Sequence, residues 1–86
     1  MRVTFSEKAF SQYVEWQTED KKTLKRINEL IKSIQRDGFL QGIGKPEPLR
    51  HRKGCSRRID EANRLAYTGD AEQNVVILSC KGHYEE

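Results

Sequence analysis

The hydrophobic pattern changes period part-way along the chain, and that switch constrains the fold more than any other feature of the sequence. After a helix start at Asp20, Leu24, Ile27, Leu30, Ile31 and Ile34 recur every three or four residues through a stretch of strong helix formers. This predicts an amphipathic helix with one apolar stripe. Ser6 can cap an earlier helix beginning at Glu7, with Phe10, Tyr13, Val14 and Trp16 fitting one face. The two form a predicted helical hairpin, which Asp37-Gly38 ends because glycine accepts the left-handed backbone found past many helix ends. Residues 39–48, punctuated by Gly42, Gly44, Pro46 and Pro48, read as a loop. Beyond them the pattern alternates. Cys55 to Asp60, Arg64 to Tyr67 and Val75 to Cys80 are strand candidates, and Arg2 to Phe5 is a short β-rich run at the start.

The links between the last three candidates are too short for parallel crossovers, which need about a dozen or more residues. They predict an antiparallel meander. The order β-α-α-β-β-β is therefore an α+β domain, with two N-terminal helices packed on one face of a small, mainly antiparallel sheet. Each helix must bury its stripe, and the sheet face carrying Ile59, Leu65 and Tyr67 is the expected partner. A chain of 86 residues has room for one such domain, residues 1–86, and one modest core.

Hydrophobic residues make up 35% of the chain and charged residues 34%, enough apolar material to fold but none arranged as a membrane span. Met1 to Glu7 lacks the apolar run of a secretory signal, so a cytoplasmic location is expected. In a reducing compartment Cys55 and Cys80 read as small buried hydrophobes rather than a disulfide or a metal pair. No spacing of carboxylates or cysteines makes His51 or His83 a metal ligand, and no cofactor is expected. The net charge of +3 is modest, but its distribution is not: residues 45–58 hold six cations, Lys45, Arg50, Arg52, Lys53, Arg57 and Arg58, against the single carboxylate of Glu47. Such a segment attracts a polyanion, nucleic acid being the usual one, and reads equally as a solvated basic loop. Alternation adds geometry to charge. If Ile59, Leu65 and Tyr67 face the helices, Arg58 and Arg64 share the opposite, open face, either as a phosphate-binding pair or as solvated surface arginines.

Several stretches together resemble the YoeB/Txe branch of the RelE/ParE toxin superfamily. They are Tyr13-Val14-Glu15-Trp16-Gln17, the run from Lys25 to Lys32, Gly44-Lys45-Pro46-Glu47-Pro48-Leu49, Ser56-Arg57-Arg58-Ile59, Asn63-Arg64-Leu65 with Tyr67, and Ser79-Cys80-Lys81-Gly82-His83-Tyr84. Each piece is weakly specific alone, but their order runs nearly end to end. The resemblance implies a RelE-like fold and the toxin of a type II toxin-antitoxin pair, an endoribonuclease that enters the ribosomal A site and cleaves messenger RNA there to inhibit translation. It also implies a YefM/Phd-like antitoxin, a homodimer, and contact with operator DNA only through the antitoxin complex. Carried over by position, the general base falls on Glu47, the phosphate-stabilising arginine on Arg64 and the general acid on His83, with Arg50, Arg58 and Tyr84 in supporting, RNA-binding places.

These residue types suit the chemistry. Cleaving RNA without a metal means removing the proton of a ribose 2′-OH, stabilising the crowded phosphorus and protonating the departing 5′-oxygen, which leaves a 2′,3′-cyclic phosphate and a 5′-hydroxyl. A carboxylate, a guanidinium and an imidazole can take those three parts. Each residue has a plainer alternative: Glu47 as a rigid loop acid, His83 as a tail histidine, His51 as a bystander, and Tyr13 and Trp16 as core. A ParE-like toxin that blocks DNA gyrase by protein contact, or an RNA-binding module without turnover, are the rival functions. Two departures from the family stand out. The segment Arg50 to Cys55 is shorter than usual and has Cys55 where relatives carry an aromatic residue, which bears on the reach of Arg50, and Glu85 and Glu86 extend past the usual terminal tyrosine.

Overall fold

The computed structural model describes residues 1–85; Glu86, the last residue of the acidic tail, lies outside the described residues. Strand β1 (Val3–Phe5) leads into helix α1 (Glu7–Glu19) and helix α2 (Lys21–Asp37), followed by β2 (Glu47–Pro48), β3 (Cys55–Arg58), β4 (Arg64–Gly69) and β5 (Val75–Ser79). Local chemistry sets the helix limits. Ser6 Oγ accepts from the Ala9 amide at 3.0 Å, while Asp20 closes α1 through its own N–H and opens α2 by accepting from the Lys22 and Thr23 amides. Gly38 ends α2 with φ at 102°, a backbone that glycine adopts without strain.

The strands form one sheet in the order β1-β5-β4-β3-β2. Strands β5, β4, β3 and β2 are successive antiparallel neighbours, and β1 lies parallel to β5 at one edge. The predicted α+β architecture therefore stands, with one addition. The expected loop at 39–48 ends in the two-residue strand β2, pairing Glu47 with Ser56 and Pro48 with Cys55. Pro46 and Pro48 hold this stretch extended, and a proline is tolerated there because β2 is an edge strand.

Ile27, Leu30 and Ile34 of α2 are fully buried against Leu65, Tyr67, Val75 and Ile77 of the sheet. Truncating any of the three to alanine costs about 2–5 kcal/mol by the usual measure of such cavities. Helix α1 departs from its predicted stripe. Ala9 and Trp16 are its buried residues, whereas Phe10 and Val14 remain 56% and 45% exposed. The helix is rotated so that Trp16 Nε1 can donate to the Cys80 carbonyl at 2.9 Å and Gln12 can accept from the Cys80 amide at 2.7 Å. Tyr13 is half-buried and donates to Asn28 at 2.7 Å, so it and Trp16 are core residues. Cys55 and Cys80 are free and buried as expected. Burial lifts both thiols above their ordinary range, Cys80 to about 11, which leaves neither reactive at neutral pH.

Arg57 overturns part of the charge reading. It counts among the six cations of residues 45–58 that were read as one field, yet it has 0% exposure beneath α2 and the loop that follows it. Opposite Leu65 in the register, it belongs to the inward face by the same alternation that sends Arg58 outward. Its guanidinium donates to Tyr67 Oη at 2.8 Å, Ser33 Oγ at 3.0 Å, and the carbonyls of Ile43, Gly38 and Gln41. Those carbonyls belong to the segment leading to Glu47. The buried arginine thus ties the glycine-rich loop to the sheet, and the Arg58 amide adds a 2.7 Å bond to the Gly44 carbonyl.

Candidate active site

Topology explains why distant residues meet on the uncovered face. Strand β5 runs antiparallel to β4, so the chain leaving β5 at Ser79 arrives beside the start of β4 at Arg64. There the Arg64 amide donates to the Gly82 carbonyl at 3.0 Å and the Gly82 amide donates to Asn63 Oδ1 at 2.8 Å. On the other side, β3 sets Arg58 across from Arg64 and Ser56 across from Glu47. An open groove of about 400 Å³ results, lined by Glu47, Arg50, Ser56, Arg64, His83 and Tyr84 among others.

Arg64 joins two of the groove-lining residues. Its Nη2 donates to Glu47 Oε1 at 3.0 Å, and its Nε and Nη2 both donate to Ser56 Oγ, at 3.1 and 3.0 Å. The arginine side chain is 22% exposed and the glutamate 63%, so the pair faces solvent on one side and the sheet on the other. Ser56 is the residue that sequence reasoning missed. The signal lay in the alternation: two positions before Arg58 on one strand, Ser56 had to share the open face. Five of the six expected site residues line the groove. Arg58 does not, although its register position puts it beside Arg64 on the same face. Arg50 reaches the groove despite the short loop, because the Leu49 amide closes the turn by donating to the Gly54 carbonyl at 2.9 Å.

His83 is exposed and has no hydrogen-bond partner of its own among the described residues, so its neighbours position it. Upstream, Lys81 Nζ bonds Glu15 and Glu19 of α1 at 2.9–3.0 Å and sits 5.0 Å from the centre of the Trp16 ring. Its bonds to Glu19 and then Glu15 hold the Lys81 ammonium above its usual pKa. Downstream, Arg52 Nη1 donates to Tyr84 Oη at 2.9 Å. Among the described residues no three His, Cys, Asp or Glu side chains are grouped to share a metal ion, and no helix is long and apolar enough to cross a membrane.

The model of a family described as YoeB-like toxin of bacterial type II toxin-antitoxin system matches residues 5–84. This chain belongs to that YoeB-like family. Toxin YoeB of Synechocystis sp. is 48% identical over 99% of both chains. Among solved structures, the YoeB dimer from Staphylococcus aureus superposes with a TM-score of 0.90 at 50% identity, covering 98% of each chain. The YoeB in a heterotetrameric YoeB-YefM toxin-antitoxin complex from the same species gives 0.88 at 50% identity over the same coverage. The two helices and open mixed sheet are thus those of YoeB toxins.

Proposed function

We propose that this YoeB-like toxin is a ribosome-dependent endoribonuclease that cleaves messenger RNA in the A site by general acid-base catalysis, without a metal. The observation that carries this reading is the meeting of Glu47, Arg64 and His83 around one open groove. Glu47 takes the proton of the ribose 2′-OH, and the 2′-oxygen then attacks phosphorus as the bond to the 5′-oxygen breaks. His83 gives a proton to that departing oxygen. The products are a 2′,3′-cyclic phosphate and a 5′-hydroxyl, with no oxidant or co-reactant required.

Arg64 stays charged throughout and neutralises the phosphate oxygens as they crowd. Its bond to Glu47 uses Oε1, which leaves the second carboxylate oxygen to receive the proton. Ser56 accepts from Nε and Nη2 and so orients the guanidinium before substrate arrives. Arg50 and Arg58 add positive potential along the RNA backbone, and the Tyr84 ring is a stacking surface for a base, a contact worth about 1–3 kcal/mol in single-strand binding.

The toxin acts in the cytoplasm, pairs with itself, and is neutralised by a YefM-like antitoxin that covers the groove and, in the complex, contacts operator DNA. Mapping RNA ends on programmed ribosomes tests the activity. Wild-type protein is expected to cut within the reading frame at the A site and leave cyclic-phosphate ends, while Glu47→Ala and His83→Ala each lose about 10²- to 10⁴-fold. Full cutting by both variants would end the catalytic assignment. Undiminished cutting by the antitoxin complex would end the covered-groove reading.

A further inference from the structure

We infer that Arg52 is a positioning residue: it latches Tyr84 across the groove mouth and so holds His83 in reach of the scissile phosphate. This deepens the nuclease reading and rests on it for its catalytic consequence. Four observations carry it. First, Arg52 is on the short link between β2 and β3, closed at its base by the bond from the Leu49 amide to the Gly54 carbonyl at 2.9 Å. Gly54 has φ at 148°, and a Cβ there would stand 2.8 Å from the Tyr67 carbonyl oxygen, so this turn is packed hard against β4. Arg52 therefore projects from a stiff base.

Second, the guanidinium is already oriented: Nε donates to the Lys53 carbonyl at 3.3 Å while Nη1 reaches Tyr84 Oη at 2.9 Å. A planar fork fixed at one edge directs the other, which a lysine ammonium cannot do as well. Third, that bond is the one side-chain tie among the described residues beyond Gly82. Upstream the tail is fastened at Cys80, Lys81 and Gly82, and Gly82 itself has φ at 69°, a natural pivot. His83 lies between pivot and latch. Removing the latch frees the imidazole to swing about Gly82, and displacement of a reacting group by even about 1 Å is costly in rate. Fourth, Tyr84 itself lines the groove, so a bond that fixes its hydroxyl acts at the site.

A double-mutant cycle on Arg52 and Tyr84, read in two ways, tests the inference. In ribosome-dependent cleavage, Arg52→Ala and Tyr84→Phe should each lower kcat about tenfold, with little change in KM. The double variant should be no worse than either single one, because both remove the same bond. Arg52→Lys should recover part of the loss, and Lys53→Ala, which removes an equal charge from the same turn, should leave the motion of the tail unchanged. In the isolated protein, backbone ¹⁵N relaxation should report faster motion at His83 and Tyr84 in Arg52→Ala and Tyr84→Phe, with Lys81 unaffected. Multiplying losses in the double variant would mean that Arg52 touches RNA directly, and an unchanged tail in Arg52→Ala would mean there is no latch; either result overturns the inference. If wild-type protein does not cut RNA, the nuclease reading fails separately and the relaxation data alone decide on the latch.

Discussion

Arg57 and Arg58 are neighbours of identical chemistry with opposite fates. Arg57 is wholly enclosed, its guanidinium bonded to two hydroxyls and three carbonyls and linked to the Asp37 carboxylate through Ser33 Oγ, while Arg58 stands exposed on the open face beside Arg64. One face of the sheet spends arginine on holding the loop that carries Glu47; the other presents arginine to solvent and, in the proposed function, to phosphate. A basic segment is therefore not one electrostatic object. Within β3, strand alternation turns one arginine into the core and the next toward solvent.

Removing groups from the open face should leave the fold undamaged. Glu47→Ala and His83→Ala should abolish most cleavage while leaving the urea denaturation midpoint near that of wild type. Both side chains are exposed and neither fills the core. A large loss of stability in either variant would show that the two faces are not independent. The converse test is Arg57→Met, which should cost about 3–5 kcal/mol in denaturant titration because it strands buried carbonyls and hydroxyls without a donor. Arg58→Ala in the same experiment should move the midpoint little, and equal effects would erase the distinction between the two arginines.

Alkaline pH probes the enclosed face again. An unfolded Cys80 thiol ionises near 9.0, whereas burial delays ionisation in the folded protein to about 11. The neutral thiol therefore adds stability in full below pH 9, and this is lost as the pH rises toward 11. At about 1.4 kcal/mol per unit the total is about 2–3 kcal/mol, and Cys80→Ala should flatten that limb of the stability curve. A thiol reagent at neutral pH should label neither cysteine until the protein unfolds. The smallest effect concerns the boundary of α1: Ser6→Ala should cost about 1 kcal/mol through loss of the cap on the Ala9 amide, with no change in RNA cleavage by the folded protein.

Features that depend on near neighbours or on a simple period were legible along the chain. The caps at Ser6 and Asp20, the α2 stripe, the α+β order and the outward direction of Arg58 and Arg64 all follow from spacings of a few residues, and the motif order identified the family. The inward direction of Arg57 was also legible, since it follows from that of Arg58. Its bonding was not, because its partners lie 10 to 24 residues away and only the folded loop brings their oxygens together. Rotation of α1, which leaves Phe10 and Val14 exposed, was likewise decided by distant bonds from Trp16 and Gln12 to Cys80. Pairing of Glu47 with Arg64, the Ser56 support and the Arg52 latch belong to the same class. Each joins strands or segments whose adjacency is a property of sheet order, and sheet order is set by the burial of the whole core rather than by any local stretch of chain.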